Sequence, residues 1–198
     1  MKKLMMIAVM AVAALTASAQ NTLRENGSFT LQPKVGIGFG MLEGSWTTAL
    51  NVDKKTRIGF LAGIEGEYYA NEWLGIAAGL TYAQQGWKFE GGGAKATTKL
   101  DYLNVPITAN FYVAQGLALK TGVQMGFLMN AKEESADIKD GSEKFNLAIP
   151  IGLSFEYENI VLDARYNLAV TKVNKNSNDD NKWRSSLIQI TLGYKFQL

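Results

Sequence analysis

LIQITLGYKFQL, residues 187–198, closes the chain and decides its fold. From Ile188 onward the stretch alternates without a break. Ile188, Ile190, Leu192, Tyr194, Phe196 and Leu198 fall on one face, and Gln189, Thr191, Gly193, Lys195 and Gln197 on the other. Successive side chains of an extended chain point to opposite sides, so a period of two predicts a strand. One face is continuously apolar and tipped with aromatics, while the other is small or polar. An ending of this kind, preceded by similar segments, predicts the closing strand of a membrane-spanning β-barrel.

Seven such segments precede it, at 31–41, 57–69, 73–85, 100–113, 117–129, 144–157 and 160–171, with the last strand at 186–198. Eight is an even number, as antiparallel outer-membrane barrels require. The links carry as much information as the strands. Ala70-Asn71-Glu72, Ala114-Gln115-Gly116 and Glu158-Asn159 predict tight turns. The stretches 42–56, 86–99, 130–143 and 172–185 are long and polar. Short and long links therefore alternate, as in an up-and-down barrel with short periplasmic turns and four long outer loops.

The alternation sorts the residues into two sets. Ile37, Phe39, Ile58, Ile64, Leu103, Ile107, Val123, Ile149, Ile151, Leu153 and Leu162 represent the apolar one. The other mixes glycines, such as Gly36, Gly38, Gly63, Gly75, Gly79, Gly122 and Gly152, with Asn104, Thr108, Asn110, Gln124 and a set of charges: Lys34, Glu65, Glu67, Lys120, Glu156, Asp163, Arg165 and Lys195. Glycine weakens a solvent-facing strand but makes room in a narrow lumen for a few long side chains. An apolar set turned outward suits hydrocarbon. The expectation is apolar out, polar in, with the charges paired across the lumen because they have few other ways to offset desolvation. Aromatics gather toward strand ends. Phe60, Tyr82, Phe127 and Phe145 lie toward the long links; Tyr68, Trp73, Phe111, Phe155, Tyr157, Tyr194 and Phe196 lie toward the short ones. Two girdles at the membrane–water interfaces are the expected role.

The N-terminus, MKKLMMIAVMAVAALTASAQ, has a positive start, an apolar run and an A-x-A site before Gln20. It predicts a secretory signal peptide over 1–19 cleaved between Ala19 and Gln20, a polar periplasmic lead-in over 20–30, and the barrel over 31–198. Without Lys2 and Lys3, 18 of the 20 basic residues remain against 18 acidic ones, so the pI of 8.6 overstates how basic the mature chain is. That balance gives no footprint for nucleic acid. The chain has no cysteine, which excludes a disulfide scaffold and a lipid anchor on cysteine.

YYANEWLGIAAGLTYAQQGWKF, DYLNVPITANFYV, GLALKTGVQMGFLM, LDARYNLAVTKV and LGYKF, taken in order, resemble the outer-membrane β-barrel domain family. These are small porin-family proteins related in shape to OmpA-type and OmpX-type barrels. The resemblance implies an eight-stranded transmembrane barrel surrounded by outer-membrane lipid and lipopolysaccharide, without fixing one activity. It also implies assembly by the barrel-assembly machinery, which reads the C-terminal strand. Family members commonly end in an aromatic residue; this chain ends Phe196-Gln197-Leu198.

Histidine is also missing from the chain, so an imidazole base and any Cys or His zinc site are excluded. Glu65 and Glu67 are two apart on one strand face, about 7 Å, a spacing open to acid–base work or to lumen ion pairs; ion pairing is the expected use. Gly36, Gly38 and Gly40 lack the spacing of a dinucleotide fingerprint. The segment 174–181, NKNSNDDN, has oxygens for Ca²⁺ but not the ligand spacing of an EF-hand loop. Trp46 and Trp183 fall in the long links. The reading is a non-enzymatic outer-membrane barrel without a cofactor, its lumen filled by side chains, with a structural or surface-recognition role through the loops. The alternative is a narrow or gated porin-like channel for ions or small solutes.

Overall fold

The alternating segments form one closed sheet in the computed structural model, which describes residues 25–43, 53–91, 94–133, 136–137, 143–171 and 184–198. In chain order the strands are β1 (Phe29–Glu43), β2 (Asp53–Asn71), β3 (Leu74–Gly91), β4 (Ala94–Ala114), β5 (Leu117–Glu133), β6 (Ala136–Asp137), β7 (Phe145–Tyr157), β8 (Ile160–Ala169), β9 (Arg184–Tyr194) and β10 (Phe196–Gln197). Long strands pair antiparallel in sequence order, β5 pairs with β7, and β9 returns to β1. Ile37 thus faces Phe60 on one side and Ile190 on the other. The two-residue β6 pairs with the end of β5, and β10 prolongs β9 along β1. Among the described residues the result is an all-β, eight-stranded, up-and-down barrel. Closure pairs the two strands that would otherwise be edges, which is what lets a sheet stand in hydrocarbon.

The faces divide as the alternation predicts. Leu192 and Ile151 on the outer wall are each 54 % exposed, whereas Arg165 is 2 % and Lys120 3 % exposed inside. Residues 1–24, with Ala19 and Gln20, lie outside the described residues, as do Trp46, Trp183 and 174–181.

Three boundaries depart from the sequence expectation. Trp73 sits in the turn before β3, because the Asn71 Oδ1 accepts its N–H at 3.0 Å in place of a strand partner. The last strand is interrupted at Lys195. The β1 ladder stops at Lys34–Gly193 and resumes at Leu31–Phe196, and in that gap Pro33, which has no N–H to give, stands opposite Tyr194 and Gln32 opposite Lys195. On its other side the Lys195 N–H donates to the Asn159 carbonyl at 2.7 Å. Pro106 and Pro150 fall in similar ladder gaps, in the β3–β4 and β5–β7 seams.

The third departure is larger. The expected loop 86–99 is mostly strand, paired from Gly86–Lys99 to Gly91–Ala94. Strand also enters the other long links: β1 runs from Phe29 to Glu43, β2 starts at Asp53, β5 reaches Glu133 and β9 starts at Arg184. The stretch 86–99 is rich in glycine and polar residues, so the apolar period that marks a membrane strand is weak there, and its pairing is seen in the backbone register instead. Strands β2 to β5 have 19, 18, 21 and 17 residues, against 13, 10 and 11 in β7, β8 and β9. A spanning strand needs about 9–11. One wall therefore stands well above the other on the long-link side. Where it leaves the bore, Gly86 adopts a φ of +131°, and a Cβ there would lie 2.0 Å from the Thr98 carbonyl oxygen.

Candidate functional site: the barrel lumen

Strand parity brings charged side chains from β1, β2, β5, β7 and β8, and from Lys195 in the break between β9 and β10, into the bore. Glycines opposite them provide the space. Lys34 lies between Gly63 and Gly193, Glu65 opposite Gly79, and both Lys120 and Arg165 opposite Gly152. The clearest case is Gly75, where a Cβ would come within 2.2 Å of the Glu67 Oε1.

The charges separate into two clusters. In the middle of the bore the Arg165 Nη2 donates to both Glu65 oxygens at 2.9 Å, and its Nε donates to the Asp163 Oδ1 at 2.8 Å. Lys120 reaches Asp163 at 2.8 Å and Glu65 at 3.4 Å, while Lys34 meets Glu65 at 2.5 Å. Three cations thus surround two carboxylates. Glu65 is on β2 and Arg165 on β8, strands that are not neighbours, so this contact crosses the lumen.

Toward the short turns the ratio reverses. The Lys195 Nζ lies 2.9 Å from Glu67 and 2.8 Å from Glu156, and also donates to the hydroxyls of Tyr69 at 2.6 Å and Tyr112 at 3.1 Å. The Tyr112 hydroxyl and the Asn110 Nδ2 donate to the Glu67 Oε1 at 2.8 and 2.7 Å. Across both clusters Lys34, Lys120, Arg165 and Lys195 balance Glu65, Glu67, Asp163 and Glu156, and all eight are buried. The oxygens of Glu65 and Glu67 are taken by cations or hydrogen-bond donors. That arrangement holds strands in register and presents no free base. Arg57, near the long-link end, donates to the Gln85 carbonyl.

Tyr69 and Tyr112 are the functional residues that sequence reasoning missed. The signal was present: Tyr69 has the parity of Glu65 and Glu67, and Tyr112 that of Thr108 and Asn110. Farther up the bore, where the strands leave the membrane zone, inward positions turn apolar, with Leu61, Ala83 and Leu187 packed together and Leu100, Tyr102 and Leu128 also buried.

On the outer wall Phe60, Tyr68, Trp73, Tyr82, Phe111, Phe127, Phe145, Tyr157, Tyr194 and Phe196 are exposed and Phe155 is half-buried. Several are paired. Trp73 stacks on Phe111 with centroids 6.4 Å apart, Phe127 meets Phe145 edge-on at 5.8 Å, and Tyr194 lies 4.8 Å from Phe196.

The model of the outer membrane protein beta-barrel domain family matches residues 18–175. No curated protein sequence matches the chain. Similar solved structures include Ail, the attachment invasion locus protein of Yersinia pestis, at 21% identity over 87% of this chain and 100% of that one, with a TM-score of 0.51. Neisserial surface protein A is similar at 20% identity over 85% and 97%, with a TM-score of 0.53. The outer membrane protein OprG of Pseudomonas aeruginosa is similar at 12% identity over 87% and 97%, with a TM-score of 0.51. These likenesses concern the fold. With the barrel closed, its greasy side outward and the family model spanning most of its length, the chain belongs to the outer membrane protein beta-barrel domain family and is an outer-membrane β-barrel protein.

Proposed function

We propose that this protein is a non-enzymatic barrel of the cell outer membrane whose lumen is sealed by side chains and whose long strands and loops carry a surface-recognition role. The observation behind this reading is the contact of Arg165 on β8 with Glu65 on β2 across the bore. A second crossing below it links Lys195 to Tyr112. An eight-stranded barrel is just wide enough for side chains to fill, and these two layers use that width. The occupied oxygens of Glu65 and Glu67, in a chain without His or Cys, favour a structural over a catalytic use.

In this reading Lys34, Glu65, Glu67, Lys120, Glu156, Asp163, Arg165 and Lys195 are the lumen network, and the outer aromatics sit at the two interfaces against lipid and lipopolysaccharide. Export uses a signal peptide cleaved after Ala19, and the barrel-assembly machinery engages the C-terminal strand. The raised wall formed by β2 to β5 favours an extracellular ligand at that side. Planar-bilayer recording tests the sealed lumen: the purified barrel should leave the bilayer silent. Stable single-channel steps would overturn this in favour of the narrow or gated channel.

A further inference from the structure

The lipid-facing wall has a hollow where β1 passes between β2 and β9. Pro33 and Ala62 are the short side chains at its centre. Val35 and Leu192 stand on its long-link side, each 54 % exposed, and Tyr194 lies across from Pro33. The hollow measures about 420 Å³, within the about 300–1,000 Å³ of small-ligand clefts, and its lining is mostly apolar.

Its cause is local. Proline cannot complete a ladder, and the pairing of β1 with the last strand is broken at that residue. The pyrrolidine ring and the Ala62 methyl also project less than Val35, Leu192 and Ile64, the β2 partner of Pro33. The wall therefore dips at the seam where the sheet closes. Left empty, such a dip forfeits the dispersion contacts of every atom that lines it.

The hollow is continuous with the wall that meets hydrocarbon, so the filler to which it opens is a lipid chain. A second barrel suits it poorly. Stable interfaces bury about 1,200–2,000 Å² with close complementarity, and a convex neighbour is held off by the projecting ring of Val35, Leu192 and Ile64. Depth selects the lipid. Two residues of a strand span about 7 Å, so Pro33 is one such step from the Leu31–Phe196 row, and the Tyr194–Phe196 aromatic pair stands on its short-turn side. Short turns are periplasmic in barrels of this class, and the periplasmic leaflet is phospholipid. We propose that the hollow at Pro33 and Ala62 is a binding groove for one acyl chain of a periplasmic-leaflet phospholipid, with the Tyr194 ring against its glycerol end. The leaflet rests on the periplasmic placement of the short turns; the groove does not depend on a sealed lumen.

Photo-crosslinking tests this, with the full barrel in phospholipid vesicles and a phosphatidylethanolamine that carries a diazirine in its acyl chain. Adducts are mapped by mass spectrometry. Leu119 and Val123, 50 % and 46 % exposed on β5, the strand opposite β1 in the barrel order, serve as the plain wall. Labelling of Val35, Ala62 and Leu192 should exceed that of the plain wall several-fold. Equal labelling, or less at the hollow as a seated second barrel would give, overturns the proposal. Ala62→Leu fills the dip and should remove the excess; an excess that persists in a variant with heat-modifiable migration also overturns it. Unlabelled lipid A should lower labelling of both walls alike. A selective fall at the hollow would assign it to the lipid of the other leaflet and contradict the choice made here. The wild-type comparison decides even where Ala62→Leu does not fold. A conducting bilayer, which would overturn the sealed lumen, leaves this result standing.

Discussion

Leu162 and Asp163 are neighbours in β8, as are Thr191 and Leu192 in β9, yet each pair obeys two opposite rules. Leu162 and Leu192 are 51 % and 54 % exposed, while Asp163 and Thr191 are buried to within 1 %. In a water-soluble protein the assignment would be the reverse. The outer wall tolerates exposed leucine because its solvent is hydrocarbon, and the inner wall tolerates buried aspartate because Arg165 and Lys120 lie 2.8 Å away. The lesson is that a side chain's place here depends on which medium its face meets, and on partners where there is no medium at all.

The most forceful way to break the inner rule is to remove one shared cation. Arg165→Met leaves Glu65 and Asp163 buried and short of a partner, and breaking a buried ion pair in this manner costs about 3–5 kcal/mol. Urea unfolding in lipid vesicles should show the loss. Lys195→Met should act similarly at the lower cluster, where Glu67 and Glu156 share that ammonium.

The outer rule is broken by charge. Leu192→Arg places a guanidinium on the lipid face, at a cost of about 2–4 kcal/mol near the bilayer midplane and less toward the interfaces. Measuring the same substitution at Leu192 and at Phe196 should therefore give a larger loss at the first if Phe196 stands nearer the interface.

Smaller changes sharpen the contrast. Gly75→Ala puts a methyl against the Glu67 carboxylate, and overpacking of that kind costs about 1–3 kcal/mol; the urea midpoint should fall, with the barrel still showing heat-modifiable migration on a gel. Trp73→Ala removes a stacked partner of Phe111, a pair worth about 0.5–1.5 kcal/mol beyond its area. It should give the smallest shift in the set.

How far these rules were legible in the sequence differs by region. Parity alone sent Glu65, Glu67, Lys120 and Arg165 inward and Ile151 and Leu192 outward. The same parity sends Tyr69 inward, where its hydroxyl suits it to Lys195. Which carboxylate meets which cation was not readable, because it depends on shear between strands as distant as β2 and β8. The ladder gap at Pro33 was not read from the sequence; only the register shows that it faces the C-terminal strand. The ribbon of β3 and β4 is rich in glycine and polar residues, so the apolar alternation that marks the membrane strands is not carried into it although its backbone pairs.

The orientation of the wall is best tested at single sites on β9, since the chain has no native cysteine to interfere. Nitroxides attached to Ile190→Cys and Leu192→Cys, in the barrel reconstituted in lipid, report their medium through relaxation by oxygen, which concentrates in hydrocarbon, and by a water-soluble nickel chelate. Both sites should respond strongly to oxygen and weakly to nickel. Strong nickel access at both, or shielding from both reagents as in a protein core, would contradict the account.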